Sequence, residues 1–124
     1  MRAAATRGEV MLVEDDLAIR ETLRELLEGE GYGVQSAENG RDALARLRTS
    51  EPPRLILLDL TMPVMDGWAF RRAQRRDPAL SRIPVVVLSA DHPLAEKVSD
   101  MAVAGYLAKP FELAALLDTV QRYC

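Results

Sequence analysis

The chain has 124 residues, a net charge of −3, 48% hydrophobic and 28% charged residues, which fits one domain with a core and excludes a disordered chain. Its charge gives no overall basic field for nucleic acid or anionic lipid, and no apolar run approaches the ~20 residues that span a bilayer. The single cysteine, Cys124, excludes an internal disulfide and suits a reducing, cytoplasmic setting.

In chain order, the start "MRAAATRGEV" lacks the apolar stretch of a signal peptide, and residues 1–8 are expected to form a flexible leader to a domain at 9–124. Val10–Val13 predicts the first strand. Ile19, Leu23, Leu26 and Leu27 then fall at i, i+4, i+7 and i+8, the spacing of a helix face, with Gly29 or Gly31 as a stop. Tyr32–Val34 gives a weaker second strand, and Leu44 with Leu47 a short helix capped by Asn39. Leu55–Leu58 is the third strand. Asp66-Gly67 opens a helix with Phe70 and Ala73 inward, whose inner face is thinned by Gln74. Val85–Leu88 predicts the fourth strand, and Leu94, Val98 and Met101 the helix after it. Tyr106–Ala108 is a weak fifth strand, followed by a helix with Leu113, Leu116, Leu117 and Val120 on one face. Continuous apolar strands alternating with helices predict an α/β fold, a doubly wound five-stranded parallel sheet with five helices.

In such a sheet the carboxyl ends of the strands form the ligand crevice. Glu14, Asp15 and Asp16 follow the first strand, Asp59 the third, Ser89 the fourth and Lys109 the fifth. Carboxylates brought together there repel, and one would take up a proton unless a cation sat among them. Oxygen ligands with few carboxylates suit Mg²⁺ (or Mn²⁺), while Lys109 adds a fixed positive charge for Asp59 or a phosphoryl oxygen. A carboxylate held by a cation can attack phosphorus and form an aspartyl-phosphate.

Four segments in order, "VEDD", "LLDLTMPVMDG", "IPVVVLSA" and "GYLAKPF", resemble the response-regulator receiver domains of two-component signalling, in particular single-domain, chemotaxis-regulator-like ones. The resemblance covers residues 9–124 and implies a flavodoxin-like sheet of order 2-1-3-4-5. It implies Asp59 as phosphoacceptor, loaded from a histidine kinase or histidine phosphotransfer protein. Asp15, Asp59 and the main-chain carbonyl of Thr61 would then bind Mg²⁺, with Glu14 holding a metal-bound water. Ser89 and Lys109 match the phosphoryl-binding hydroxyl and lysine, and Tyr106 matches the aromatic switch residue. Thr61 and Asp91 occupy positions that tune phosphate lifetime, and Lys109-Pro110 matches a cis peptide. By the same resemblance the domain is not a turnover enzyme. It catalyses its own phosphoryl transfer and slow autodephosphorylation, and it signals through the surface of the fourth helix, fifth strand and fifth helix to a downstream protein or output domain. A phosphorylation-dependent dimer is also compatible with the family.

Other charged residues take plainer readings. Asp16 and Asp66 are expected to cap helices, and His92 to be an inert loop residue. Arg71, Arg72, Arg75 and Arg76 are read as sharing one face of a helix, expected to be solvated, with an acidic partner as the minority alternative. Trp68 is expected to be partly packed, with an anchor for a partner as the alternative. Two rival functions fit the topology less well, and a third, an interaction module that has lost phosphorylation, is disfavoured because every reactive residue is present. A haloacid-dehalogenase-like phosphatase needs D-x-D or D-K-T-G-T, which "DLTMP" does not supply. A flavodoxin-like cofactor carrier needs a phosphate-cradling first loop, which "EDDLA" would repel.

Overall fold

Each of the five apolar runs forms a strand, and each strand leads into a helix. The computed structural model describes residues 7–124. Its elements are β1 (Glu9–Val13), α1 (Leu17–Gly29), β2 (Gly33–Ala37), α2 (Gly40–Thr49), β3 (Leu55–Leu58), α3 (Gly67–Arg76), β4 (Val85–Ser89), α4 (Leu94–Lys97), β5 (Gly105–Ala108) and α5 (Leu113–Tyr123). All pairings are parallel, and the sheet order is β2-β1-β3-β4-β5.

The central strands are continuously apolar because both of their faces are covered. Met11, Val13, Ile56, Leu58, Val85 and Val87 pack with α2, α3 and α4 through Leu44, Leu47, Phe70 and Leu94. The alternate residues Val10, Leu12, Leu55, Leu57, Val86 and Leu88 pack with α1 and α5 through Leu23, Leu27, Leu116 and Val120. Strand β5 lies at the sheet edge and alternates half-buried with exposed residues, which accounts for its weak sequence signal.

Asp16, Asn39 and Asp66 cap α1, α2 and α3, each accepting a hydrogen bond from the main-chain N–H three residues on. The apolar faces are narrower than their periodicity suggests, since Ile19 and Leu113 are exposed. Helix α4 ends at Lys97, although Leu94, Val98 and Met101 are all buried as expected. Its N-cap is Pro93, which supplies no side-chain hydrogen bond, and the weak helix formers Val98, Ser99 and Asp100 follow the helix. The expected leader lies mostly outside the described residues. Its last two members are hydrogen-bonded, Arg7 N donating to Gly31 O (3.2 Å) and Gly33 N to Gly8 O (3.0 Å).

Two expectations for α3 are corrected. Arg71 is not solvated: it is 7% exposed, and its guanidinium donates to the carbonyls of Met101 (2.9 Å) and Ala102 (2.7 Å) and to Gln74 Oε1 (2.7 Å). Gln74 does not thin the core, because its amide donates to the carbonyls of Leu80 and Ile83, both at 3.0 Å. The pair closes main-chain acceptors that the turns before β4 and β5 leave open, so polar side chains serve where an apolar one would strand those groups. Gln74→Ala is expected to lower the unfolding free energy in urea by about 2–3 kcal/mol, through lost hydrogen bonds and a cavity. The exposed Arg76→Ala should stay within ~0.5 kcal/mol, and an equally small effect at Gln74 would contradict this account.

Candidate functional site

Val13 and Leu58 are register partners across β1 and β3. The residues that follow them, Glu14 and Asp59, therefore leave the sheet side by side at the spacing of adjacent strands. The Asp59 N–H extends the ladder by donating to Val13 O at 3.0 Å. Carboxylate oxygens of Glu14, Asp15 and Asp59 then lie within 4.8 Å of one another. Glu14 is 4% exposed, Asp59 is half-buried and Asp15 is open to solvent.

Burial pushes the Glu14 carboxyl from its ordinary 4.5 up to about 7, and a hydrogen bond with Asp59 and the charges of Asp59 and Asp15 push the same way. Only the Lys109 ammonium opposes them, 3.5 Å from Glu14 Oε2. The sequence reading allowed Lys109 to neutralise Asp59; among the described residues its ion pair is with Glu14. One lysine against three carboxylates leaves excess negative charge. An oxygen-only donor set, buried at one end and open at the other, fits a hard divalent cation that keeps part of its water shell.

The remaining candidates lie on the neighbouring strands and on the loops that follow them. Ser89 is buried at the end of β4, and its Oγ accepts from Asp91 N at 3.1 Å. Lys109 N donates to Ser89 O at 2.8 Å, which ties the lysine to the serine through the β4–β5 ladder. The Thr61 hydroxyl donates to the Asp91 carboxylate at 3.5 Å, so the two residues lying two places beyond Asp59 and Ser89 touch. Asp59 Oδ1 accepts from Leu60 N at 2.8 Å. A Cβ on Gly67 would sit 2.5 Å from Asp59 O, so only glycine lets α3 begin this close to the end of β3. Tyr106, on the edge strand, is 46% exposed. Asp16 and Asp66 serve as caps, and His92 is exposed.

One supporting residue escaped the sequence reading. Arg20 Nη1 donates to the carbonyls of Glu14 (2.7 Å) and Asp15 (3.5 Å), fixing the acidic loop from the first turn of α1. An arginine one turn into the helix after an acidic loop is the available signal in the sequence.

The family profile of the response regulator receiver domain matches residues 10–121. The response regulator MprA of Mycolicibacterium vanbaalenii is 39% identical over 110 residues, covering 87% of this chain and 46% of that protein. The chain thus spans about half the length of the curated relatives it matches. Among solved structures, the chemotaxis response regulator CheY4 of Vibrio cholerae superposes with a TM-score of 0.86 at 33% identity, covering 96% of this chain and 100% of that one. The receiver domain of the sensor histidine kinase PA1611 of Pseudomonas aeruginosa, with a magnesium ion coordinated in its active site cleft, gives 0.86 at 28% identity and 98% of both chains. The Mn²⁺-bound response regulator Rcp1 gives 0.76 at 32% identity, covering 93% of this chain and 90% of that one.

The Glu14 shift sets a sign for the pH dependence of stability without metal. Between pH 4.5 and about 7 the folded chain keeps a proton that the unfolded chain releases. Rising pH across that window therefore weakens the folded state, by at most about 1.4 kcal/mol per unit. In a chelating buffer the melting temperature should fall from pH 5 to 7.5, and fall less in Glu14→Gln. Equal slopes in the two proteins would contradict the assignment.

Proposed function

Because the chain belongs to the response regulator receiver domains, whose general function is phosphorylation-based signalling and which interact with histidine kinases and output domains, we propose that Asp59 is its phosphoacceptor. The observation that carries this reading is the convergence of Glu14, Asp15 and Asp59 within 4.8 Å, beside Lys109 and Ser89. In the proposed reaction an Asp59 oxygen attacks the phosphorus of a phosphohistidine. The P–N bond breaks, its electron pair stays on the ring nitrogen, and the imidazole leaves neutral because its other nitrogen takes up a proton from solvent.

Asp15, Asp59 and the Thr61 carbonyl would hold Mg²⁺ or Mn²⁺, with Glu14 orienting a bound water. The cation supplies the charge neutralisation that lets a carboxylate meet a phosphoryl group. Arg20 holds the loop that presents Glu14 and Asp15. Lys109 and Ser89 bind phosphoryl oxygens as the transfer proceeds, the ammonium moving off Glu14 as negative charge accumulates at Asp59. The pair formed by Thr61 and Asp91 flanks the path of a hydrolytic water and governs the slow autodephosphorylation that returns the domain to its ground state.

The phosphoryl group adds about −1.5 to −2 charges and three acceptor oxygens. Ser89, drawn toward it, vacates space that Tyr106 fills from its exposed position. The surface of α4, β5 and α5 is thereby repacked for a downstream protein, an output domain or a second copy of the domain. Coupling of about 1–3 kcal/mol would change partner affinity some 5- to 150-fold. Incubation with a small phosphodonor and Mg²⁺ should give an adduct of one phosphoryl mass that is lost on chelation of the metal beforehand and absent from Asp59→Asn. An adduct that forms equally well on Asp59→Asn would overturn the proposal.

A further inference from the structure

On the face of the sheet covered by α2, α3 and α4 runs a groove between α3 and α4 that the phosphorylation chemistry does not use. Its floor is built from the half-buried Trp68, whose Nε1 donates to Lys97 O at 3.3 Å, and from Met101. Arg72 and Arg75 line it from α3 and Lys97 from α4, all exposed. Arg72 and Arg75 are one turn apart and lie toward the same side of the helix. Beneath them Arg71 is buried, and its three hydrogen bonds go only to uncharged oxygens. None of these four cations forms a salt bridge among the described residues, although five such bridges occur elsewhere in them. Asp100 is the one acid lining the groove, and it meets Arg75 through its main-chain carbonyl at 3.3 Å.

Uncompensated positive charge is unusual here, because the chain as a whole carries a net charge of −3. Burial lowers the pKa of Arg71, and the neighbouring Arg75 charge lowers it further, so the two guanidiniums repel across the groove wall. A buried cation without a counter-ion is destabilising, and an anion arriving from outside relieves it. The mixture of cations on the rim with an aromatic and a thioether on the floor favours a side-chain-bearing ligand over a bare phosphate. The overall negative charge disfavours the long phosphate backbone of a nucleic acid.

From this we infer that the α3–α4 groove is a docking site for an acidic segment of a partner protein. Carboxylates of the segment would face Arg72, Arg75 and Lys97, and an apolar side chain would lie against Trp68. The site shares α4 with the α4, β5 and α5 surface but takes most of its lining from α3, and none of its lining residues belongs to the Asp59 cluster.

Trp68 is the single tryptophan of the chain and lies within the groove, which makes its emission a direct reporter. The full chain is titrated with a short tryptophan-free peptide of Glu, Asp and Leu. A saturable change in Trp68 emission is expected, weakening in high salt. The double variant Arg72→Glu/Lys97→Glu should weaken binding about tenfold or more, while Arg41→Glu/Arg46→Glu, with the same change in net charge on α2, should not. Both variants replace exposed residues, and unchanged melting curves would show that they fold. Three results would each overturn the inference: no saturable change with the natural chain, equal loss in the two variants, or tighter binding of mixed-sequence duplex DNA through the same residues.

Discussion

Everything distinctive in this molecule follows from holding three carboxylates against their own repulsion. The register of β1 against β3 sets Glu14 beside Asp59, and the next residue adds Asp15. The strands are buried and covered on both sides, so the acids cannot separate to relax the charge. The strain appears at Glu14, the most enclosed of the three, whose carboxyl is pushed up to about 7 mainly by burial. A site of this kind stores a preference for cations in its ground state. Under the proposed function, that preference would let Asp59 approach a phosphoryl group, with the charge of both shared with a metal and with Lys109.

The rest of the fold keeps the acids in place and passes the consequence outward. Order β2-β1-β3-β4-β5 puts the crevice where the chain connections diverge from β1. Gly67 lets α3 start against Asp59, and Arg20 pins the acidic loop from α1. On the far side of α3, Arg71 and Gln74 fasten the turns that lead into β4 and β5, the strands that carry Ser89 and Lys109. The cluster is most enclosed at Glu14, just past the end of β1. Toward the β5 edge it becomes more exposed, with Tyr106 open to solvent. The proposed function, reaction at one end and repacking at another, would use that gradient.

Much of this was legible in the sequence for a simple physical reason. A buried parallel strand ends abruptly, so a charge just past an apolar run marks the sheet edge, as at Asp59 and Glu14. Helix caps were equally readable, because Asp16, Asn39 and Asp66 act locally. What was not legible depends on contacts far apart in the chain. The bonds from Arg71 to Met101 and Ala102 span about thirty residues, so nothing near Arg71 distinguishes it from Arg72 or Arg75. Gln74 looked like a fault in an apolar face, because the open carbonyls of Leu80 and Ile83 that explain it appear only once the turns are folded. The ion pair of Lys109 with Glu14 likewise requires the ends of β1 and β5 to be seen together.

The central claim is that the Glu14, Asp15 and Asp59 cluster is organised to take a divalent cation. The most direct measurement is calorimetric titration of the chain with Mg²⁺ near pH 7, in two buffers of different ionisation enthalpy. The account predicts saturable binding with release of a fraction of a proton, because the cation replaces the proton that Glu14 retains at that pH. It also predicts that Asp59→Asn binds far more weakly. Absence of binding, or binding undiminished in Asp59→Asn, would contradict it.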